Sequence, residues 1–290
     1  MKYEGAVYRP PSEARSLIIQ ITIGCARNTC TFCSMYKVKR FRVRPREEVV
    51  EDLISAREYY RNVQIKKVFL ADGDALIVKT EDLIYILKKI KEIFPEVERI
   101  SAYGAPADVI AKSQSELESL RQSGLRMIYI GGESGDNKVL TDVKKGVTAE
   151  QIIIAGKKLK SSGMITSITF ISGLGGRDRL KEHALGTARV ISEINPEYVG
   201  LLTLMLEKGT VLYEQEKRRE FELLKPMEIM TELKLLVENI DSSGTVFRSN
   251  HASNYFALKG TFNEDREAML REIQNAIKSD DYTPEGYRSL

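Results

Sequence analysis

The sequence predicts an α/β fold in which short strands alternate with helices to build a parallel sheet. Two observations predict this fold class. Several short apolar runs end in Gly, Ser or Asp, and longer stretches with apolar residues at three- and four-residue steps follow them. This rhythm is typical of repeated βα units, whose strands form either a barrel or an open sheet. A chain of 290 residues is long enough to bury a full core.

Six strands and five intervening helices are predicted from this rhythm. Gly124 and Gly163 are plausible helix stops, and Thr148 with Gln151 predicts a capping box. The predicted strands are residues 17–23, 67–71, 99–103, 126–131, 165–171 and 198–203. The predicted helices are residues 47–61, 81–94, 115–123, 148–162 and 181–194.

The rhythm changes after residue 207. Three helical segments are predicted in residues 208–290, with a short apolar run and a polar turn before the last of them. No linker rich in Gly, Ser or Pro precedes this part of the chain. We therefore expect a barrel domain over residues 1–207 and, over residues 208–290, a helical appendage that packs on it and is not independent.

The composition describes a globular protein with nearly balanced charge. There are 44 Lys and Arg against 41 Asp and Glu, a net charge of +3, and 42% of the residues are hydrophobic. These values exclude a collagen, a disordered tail and a disulfide scaffold, and they do not by themselves favour nucleic-acid binding. The start of the chain has no apolar targeting run, and no stretch approaches eighteen apolar residues. We expect a cytoplasmic protein.

All three cysteines lie within nine positions, in a C-x4-C-x2-C arrangement directly after the first predicted strand. They are Cys25, Cys30 and Cys33. Residues that leave the carboxyl end of a strand lie where βα proteins build their sites, and thiolates select zinc, copper or iron-sulfur clusters. Three thiolates are one short of a closed zinc site, and both histidines are distant in sequence. A cluster with one open iron fits this set, while a structural zinc and metal-free thiols remain alternatives.

This segment resembles the radical S-adenosylmethionine (SAM) enzymes, whose usual motif is C-x3-C-x2-C with an aromatic residue before the last cysteine. Phe32 fills the aromatic position, and one extra residue lies between Cys25 and Cys30. The resemblance implies a partial (β/α)6 TIM-type barrel and a [4Fe-4S] cluster on Cys25, Cys30 and Cys33. SAM would bind the fourth iron.

Two later segments extend the resemblance toward the branch of coproporphyrinogen dehydrogenases and methylthiotransferases. Asp72, Gly73 and Asp74 follow the second predicted strand, where the family has Gly-Gly-Glu-Pro and holds the methionine ammonium of SAM. Glu133 and Ser134 follow the fourth strand and are similar to the family's Gly-x-Glu-Ser segment. By this resemblance Glu133 accepts hydrogen bonds from the ribose hydroxyls. An acidic turn and a helix-capping acid are the structural alternatives.

The fifth predicted strand runs into a glycine-rich turn that resembles the segment backing the adenine in this family. Gly173 lies in this turn, where a flat base needs close approach of the backbone. Ser101 on the third strand and Leu204 beyond the sixth are expected to complete the cofactor cleft.

By this resemblance the protein cleaves SAM reductively to a 5'-deoxyadenosyl radical that abstracts hydrogen from a small-molecule or cofactor-precursor substrate. A one-electron donor such as ferredoxin or flavodoxin is implied, and an open cluster is expected to be oxygen-sensitive. A tRNA-modifying or other RNA-modifying enzyme of the same class is one alternative, and a zinc-stabilised binding or scaffold protein is another.

The polar turn near residue 250 carries the predicted substrate-side residues. His251 is a candidate proton donor or substrate anchor, and Arg248 with Asn254 is a candidate for binding a carboxylate or amide. A capped turn is the structural alternative. We expect His183 to be a surface or capping residue. Basic stretches at residues 37–46 and 208–219 admit RNA binding, a solvated face or a redox partner.

Overall fold

The computed structural model describes residues 2–289, which contain ten strands and ten α-helices. The strands are β1 (Leu17–Gln20), β2 (Thr22–Ile23), β3 (Arg42–Val43), β4 (Lys67–Ala71), β5 (Arg99–Gly104), β6 (Leu125–Glu133), β7 (Ile165–Ser172), β8 (Tyr198–Thr203), β9 (Thr245–Ser249) and β10 (Leu258–Phe262). The helices are α1 (Arg46–Tyr59), α2 (Thr80–Ile93), α3 (Pro106–Ala111), α4 (Gln114–Ser123), α5 (Asn137–Asp142), α6 (Ala149–Ser161), α7 (Leu180–Ile194), α8 (Val211–Lys217), α9 (Pro226–Asn239) and α10 (Arg266–Ser279).

The chain divides into two compact units that interleave along the sequence. The first comprises Met1–Asn28, Met35–Ile130 and Lys158–Thr166. In it β1, β4, β5 and β6 are neighbours in that order and run parallel, while β2 and β3 form a small antiparallel pair. The buried Glu13 carboxylate accepts a hydrogen bond from the Tyr129 hydroxyl at 2.7 Å. This acid is satisfied within the unit, as a buried carboxylate must be.

The second unit comprises Thr29–Ser34, Gly131–Lys157 and Ser167–Leu290. Here β7, β8 and β9 pair in parallel, and β10 pairs with β9 in the antiparallel sense. Helix α9 packs on both α7 and α10, and α10 packs on β10. The buried rings of Phe247 on β9 and Phe262 on β10 lie 5.3 Å apart between centroids. These aromatic rings belong to the core that covers the hairpin.

All six predicted strands and all five predicted helices of residues 17–194 and 198–203 are present, with ends shifted by a few residues. The predicted Thr148 capping box forms in both directions, and Gly124 ends α4 in the left-handed conformation. Residues 208–290 contain two strands besides the predicted helices. The second strand, β10, carries no apolar alternation because Lys259, Gly260 and Thr261 interrupt it. The expected domain boundary at residue 207 stays a prediction.

Glycines at positions 135 and 186 let α7 approach the segment that follows β6. A Cβ built on Gly186 would stand 2.6 Å from the Gly135 carbonyl oxygen, and the Gly135 N–H donates to the Thr187 hydroxyl at 3.0 Å. Residue 135 follows the predicted ribose-binding residues directly, so this contact positions them.

Replacing Gly186 with alanine is therefore expected to destabilise the protein, although Gly→Ala in a helix normally stabilises. Overpacking against backbone predicts a loss of at least about 2 kcal/mol in the free energy of unfolding, measured by urea denaturation. Gly286→Ala is the control, because a Cβ there meets nothing within 4 Å. Equal stability of the two variants would contradict the close contact.

Candidate functional site

Cys25 lies two residues after the end of β2, and Gly73 lies against it. The Cys25 thiol is partly exposed and outside any disulfide. A Cβ built on Gly73 would stand 3.0 Å from the Cys25 Cβ and 2.9 Å from the ring of Tyr36. The Gly73 N–H also donates to the carbonyl of Gly24 at 3.1 Å. A glycine at position 73 therefore keeps space open beside the first cysteine.

The carboxylate of Asp72 anchors the start of the cysteine segment. It is fully buried, and its Oδ2 accepts from the backbone N–H of Gly24 at 2.9 Å, from Gln20 Nε2 at 3.1 Å and from Lys39 Nζ at 2.8 Å. The Lys39 side chain is only 6% exposed, so this is a buried ion pair. The other oxygen of Asp72, Oδ1, is buried, and within the described part of the chain it has no hydrogen-bond partner. Asp72, predicted as a cofactor contact, thus holds the residue that precedes Cys25.

Cys30 and Cys33 lie in the second unit, on a segment held by backbone hydrogen bonds. The Thr31 N–H donates to Val143 at 3.0 Å, and the Thr31 carbonyl accepts from Leu212 at 3.0 Å. Both cysteines are partly exposed and outside any disulfide. Phe32, between them, packs against an apolar cluster that includes Leu204. The two residues predicted to flank the cofactor therefore share one cluster.

Asp74 forms a buried carboxyl pair with Asp108 in the first unit. Asp74 is 1% exposed, its Oδ1 accepts from the Ala105 N–H at 3.3 Å, and its carboxyl group also interacts with the carboxyl group of Asp108. Burial raises the pKa of Asp74 to about 8, and the hydrogen bond and charge of Asp108 add to the shift. The charge of Arg27 opposes the shift, and Arg27 Nη2 lies 3.8 Å from Asp108 Oδ2. A cation bound beside this carboxyl group would favour its ionised form.

Ser101, the other predicted cofactor contact of this unit, is fully buried on β5, and its hydroxyl has no hydrogen-bond partner among residues 2–289. A buried hydroxyl without a partner marks a polar atom that a bound group can satisfy.

Glu133 and Ser134 end β6 and begin the next turn. Glu133 has a left-handed backbone, with φ of 64°, which is uncommon for a residue with a side chain. Its carboxylate accepts from Lys145 Nζ at 2.8 Å, and both side chains are largely buried. The Ser134 hydroxyl accepts from the Asp136 N–H at 3.0 Å. Glu133 is thus held in one place by a lysine, whereas Ser134 caps the turn.

Gly173 follows β7 with φ of +81°, and a buried acid from α9 holds it. The Gly173 N–H donates to Glu232 Oε2 at 2.7 Å, and Oε1 of the same carboxylate pairs with His183 Nδ1 at 2.9 Å. The prediction that His183 is a surface or capping residue is wrong. His183 is only 2% exposed and lies on the buried face of α7. Burial alone lowers the pKa of His183, but the charge of Glu232 and its hydrogen bond raise it overall.

One cavity of about 240 Å³ in the second unit is lined by both Gly173 and Leu204. The Leu204 N–H donates to the Ser172 carbonyl at 2.9 Å, which fixes it beside the glycine turn. The two residues predicted to lie near the adenine therefore border the same cavity.

The predicted substrate-side residues differ in their surroundings: Arg248 is exposed on a strand, whereas His251 and Asn254 belong to a turn. Arg248 is exposed on β9, and its Nη1 donates to the Phe247 carbonyl at 2.7 Å. His251 Nδ1 accepts from the Ser253 N–H at 3.1 Å, and burial lowers the pKa of His251. Asn254 is buried and bridges to β8 through the Thr203 hydroxyl at 2.9 Å. His251 and Asn254 thus have the contacts of a capped turn.

No group of three or more His, Cys, Asp or Glu side chains between residues 2 and 289 is arranged to hold a metal ion. The donor set nevertheless fits an iron-sulfur cluster, because three partly exposed thiols lie on one nine-residue segment and Gly73 leaves space beside the first. Across the same residues, no helix has the length and apolar character of a membrane span.

The radical SAM superfamily model matches residues 19–185, more than half of the chain, and this match includes all three cysteines. The chain belongs to the radical SAM superfamily. Its members are enzymes that use a [4Fe-4S] cluster and SAM, so the predicted enzyme class and cofactors are confirmed at the level of the family. The reaction is not specified by this membership.

Curated relatives match only part of their own length. A putative methylthiotransferase of Methanocaldococcus jannaschii is 25% identical over 162 residues, which are 54% of this chain and 35% of the relative. An uncharacterized methyltransferase of Pyrococcus horikoshii is 26% identical over 68% of this chain and 41% of the relative. A tRNA uridine(34) acetyltransferase of M. jannaschii is 27% identical over 37% of this chain and 20% of the relative. The chain spans less than half the length of these relatives.

Solved radical SAM structures share the fold. Coproporphyrinogen III oxidase from Escherichia coli has a TM-score of 0.59 at 17% identity, covering 94% of this chain and 61% of that one. Methylornithine synthase has a TM-score of 0.54 at 16% identity over 90% and 81%. Elp3 from Methanocaldococcus infernus has a TM-score of 0.51 at 16% identity over 94% and 64%. The predicted fold class is confirmed as a mostly parallel α/β sheet with helices, consistent with a partial barrel.

Sequence reasoning missed the partners that hold the predicted residues of this radical SAM chain. They lie between 12 and 59 residues away in sequence, outside the family motifs: Lys39 for Asp72, Asp108 for Asp74, Lys145 for Glu133 and Glu232 for Gly173. One signal was present: Glu232 lies three residues after Ile229 and four before Leu236, on the apolar face of α9.

Breaking the Lys39–Asp72 pair is expected to destabilise the protein far more than breaking an exposed pair. Lys39→Met leaves a buried carboxylate without its cation, so the free energy of unfolding should fall by about 3 to 5 kcal/mol in urea denaturation. Lys66→Met is the control, because Lys66 and Glu98 are both more than half exposed and their pair is worth about 1 kcal/mol or less. Equal losses would show that Asp72 does not anchor the segment.

The raised pKa of Asp74 predicts a stability that falls as pH rises. Between about pH 4 and pH 8 the unfolded chain releases the Asp74 proton while the folded chain retains it, so folding becomes less favourable across that window. Asp74→Asn, which is neutral throughout, should remove this part of the pH dependence in urea midpoints from pH 5 to pH 9. Asp142→Asn, at an exposed residue, is the control. Parallel pH curves for Asp74→Asn and the unaltered protein would contradict the shift.

Proposed function

We propose that this chain is a radical SAM enzyme that abstracts hydrogen from a small-molecule or cofactor-precursor substrate. Cys25, Cys30 and Cys33 are the proposed ligands of the [4Fe-4S] cluster. When bound, the cluster and SAM supply a 5'-deoxyadenosyl radical. The observation that carries the proposal is the cysteine segment at the end of the first parallel strands, inside the matched radical SAM region.

The residues predicted to bind SAM have the chemistry that this role needs. Asp74 and Asp108 place two carboxyl groups together, which suits an ammonium group, and a cation bound there would favour the ionised form of Asp74. Glu133 is fixed by Lys145, so its carboxylate is held ready to accept from hydroxyl groups. Gly173 is proposed to let the backbone approach the adenine, and it lies beside Leu204. Ser101 supplies a further hydroxyl without a partner.

A small-molecule substrate is favoured over RNA by the contacts of the first basic stretch. Four of its cations are already paired with carboxylates, and two of the four are largely buried. The pairs are Lys39–Asp72, Arg42–Glu4, Arg44–Asp52 and Arg46–Asp82. A surface that binds phosphates needs cations whose charge is not already neutralised. The tRNA-modifying alternative is suggested by relatives and not by this stretch.

A one-electron donor such as ferredoxin or flavodoxin is the proposed protein partner, since members of the superfamily need a reductant. Lys37 and Arg40 are exposed on the segment that follows Cys33. Cations there suit an acidic donor, whose approach would be accelerated by opposite charge.

Cys30→Ala is expected to lose the cluster and SAM cleavage while the fold is retained. Because the motif provides only three thiolates, loss of one removes a cluster ligand. The measurement is iron and sulfide content with an optical spectrum after anaerobic reconstitution, followed by quantification of 5'-deoxyadenosine after addition of dithionite and SAM. The unaltered chain should hold about four irons and form 5'-deoxyadenosine.

Thr29→Ala is the matched control, since Thr29 is exposed in the same segment and its hydroxyl donates only to the Lys144 carbonyl. This variant should keep its iron and its activity. A colourless chain that binds zinc, or 5'-deoxyadenosine formed equally by Cys30→Ala, would overturn the proposal.

The RNA-modifying alternative predicts binding to tRNA that weakens steeply with salt. We expect fluorescence anisotropy with labelled tRNA to show no saturable binding at 150 mM salt, and Lys37→Glu with Arg40→Glu to change little. Saturable binding lost in this double variant, with a steep decline in affinity with salt, would instead favour the RNA substrate.

A further inference from the structure

A buried arginine borders the cavity that Gly173 and Leu204 line. The Arg288 side chain is 2% exposed, and its guanidinium carbon lies 3.8 Å from the centroid of the Tyr255 ring. Both Arg288 and Tyr255 line this cavity of about 240 Å³. Most of the other lining residues are apolar, and they include Leu206, Leu223, Leu224 and Ile229. A cation in such a wall is a strong determinant of what can enter.

Backbone carbonyls from two elements fix the orientation of the guanidinium. Arg288 Nε donates to the Ser253 carbonyl at 2.7 Å, and Nη2 donates to the Leu204 carbonyl at 3.1 Å. These contacts neutralise no charge, because carbonyl groups are dipoles. The remaining nitrogen of the guanidinium, Nη1, is the one that forms an ion pair with a negatively charged side chain.

That negative charge is supplied by Glu285, which lies three residues earlier on the same segment. Arg288 Nη1 donates to Glu285 Oε1 at 2.8 Å and to Oε2 at 2.7 Å, and the Tyr255 hydroxyl donates to Oε2 at 2.7 Å. The Glu285 side chain is 68% exposed. Arg288 and Tyr255 therefore form a cradle that already accommodates a carboxylate, and the carboxylate in it can rotate into water while the arginine cannot.

Among residues 2–289, no acidic side chain other than Glu285 lines the cavity, so moving Glu285 away leaves a positive wall beside apolar residues. We propose that Arg288 and Tyr255 form a recognition site for the anionic group of a small substrate with an aliphatic body, in which the substrate carboxylate replaces Glu285. This inference rests on the proposed function, because it places the substrate beside Gly173 and Leu204, the residues proposed to lie near SAM.

Binding of the anion is measured separately from radical chemistry. The probe is 4-methylpentanoate, titrated by calorimetry into the reconstituted full chain, with 4-methylpentanamide as its neutral counterpart and isobutyl phosphate as the other anion. The carboxylate is expected to bind saturably and the amide at least about tenfold more weakly, as for the loss of a charged hydrogen-bonding partner. Tighter binding of isobutyl phosphate than of 4-methylpentanoate would assign the site to phosphate esters and overturn the proposal that it recognises a carboxylate.

Removing the charge of Glu285, which competes with the substrate carboxylate for Arg288, gives the sharpest test. Glu285→Gln should bind 4-methylpentanoate more tightly, by about threefold to fivefold, because one exposed carboxylate partner is lost. Tyr255→Phe keeps the ring but loses the hydroxyl donor and should bind several-fold more weakly. Glu220→Gln is the control, since Glu220 pairs with Arg218 on the exposed surface and should leave binding unchanged.

Arg288→Gln should abolish binding. If Arg288→Gln does not fold, the two separate variants Glu285→Gln and Tyr255→Phe still test the proposal. Cys30→Ala should still bind the carboxylate, so failure to assemble a cluster and failure of the anion site are distinguishable. Equal affinity for carboxylate and amide, or weaker carboxylate binding by Glu285→Gln, would overturn the proposal and leave the Arg288–Glu285 pair with a structural role alone.

Discussion

The carboxylate of Asp72 is the constraint on which the candidate site depends. Asp72 directly follows β4, and its buried carboxylate accepts from Lys39, Gln20 and the backbone of Gly24. A buried charge is tolerated only when it is paired and hydrogen-bonded, so these partners have one low-energy arrangement. Since Gly24 directly precedes Cys25, the end of a parallel strand fixes where the cysteine segment begins.

The second unit uses the same device at another strand end. Glu232 on α9 is buried, receives the Gly173 N–H, and is paired with the buried His183. Here too a buried carboxylate holds a turn, and the glycine of this turn has a positive φ. Each turn predicted to contact SAM is thus fixed by a residue from a distant part of the chain, and loops alone would not have this rigidity.

Much of the fold could be predicted from the sequence, because burial periodicity is local. The strands of the βα units and the Thr148 capping box follow from residues a few positions apart. β10 and the buried position of His183 could not be predicted, since a strand with Lys259 and Gly260 has no alternation and the acid that pairs with His183 lies 49 residues away. The cysteine motif indicated the family, whereas Lys39, Lys145 and Arg288 act through contacts that no spacing records.

The central claim is that Cys25, Cys30 and Cys33 hold a [4Fe-4S] cluster with one iron open to SAM. Electron paramagnetic resonance of the dithionite-reduced full chain, recorded with and without SAM, tests it most directly. The account predicts the signal of a reduced [4Fe-4S] cluster whose shape changes when SAM is added, because SAM binds the open iron. A cluster signal that is identical with and without SAM, or a reconstituted chain without iron, would contradict the account.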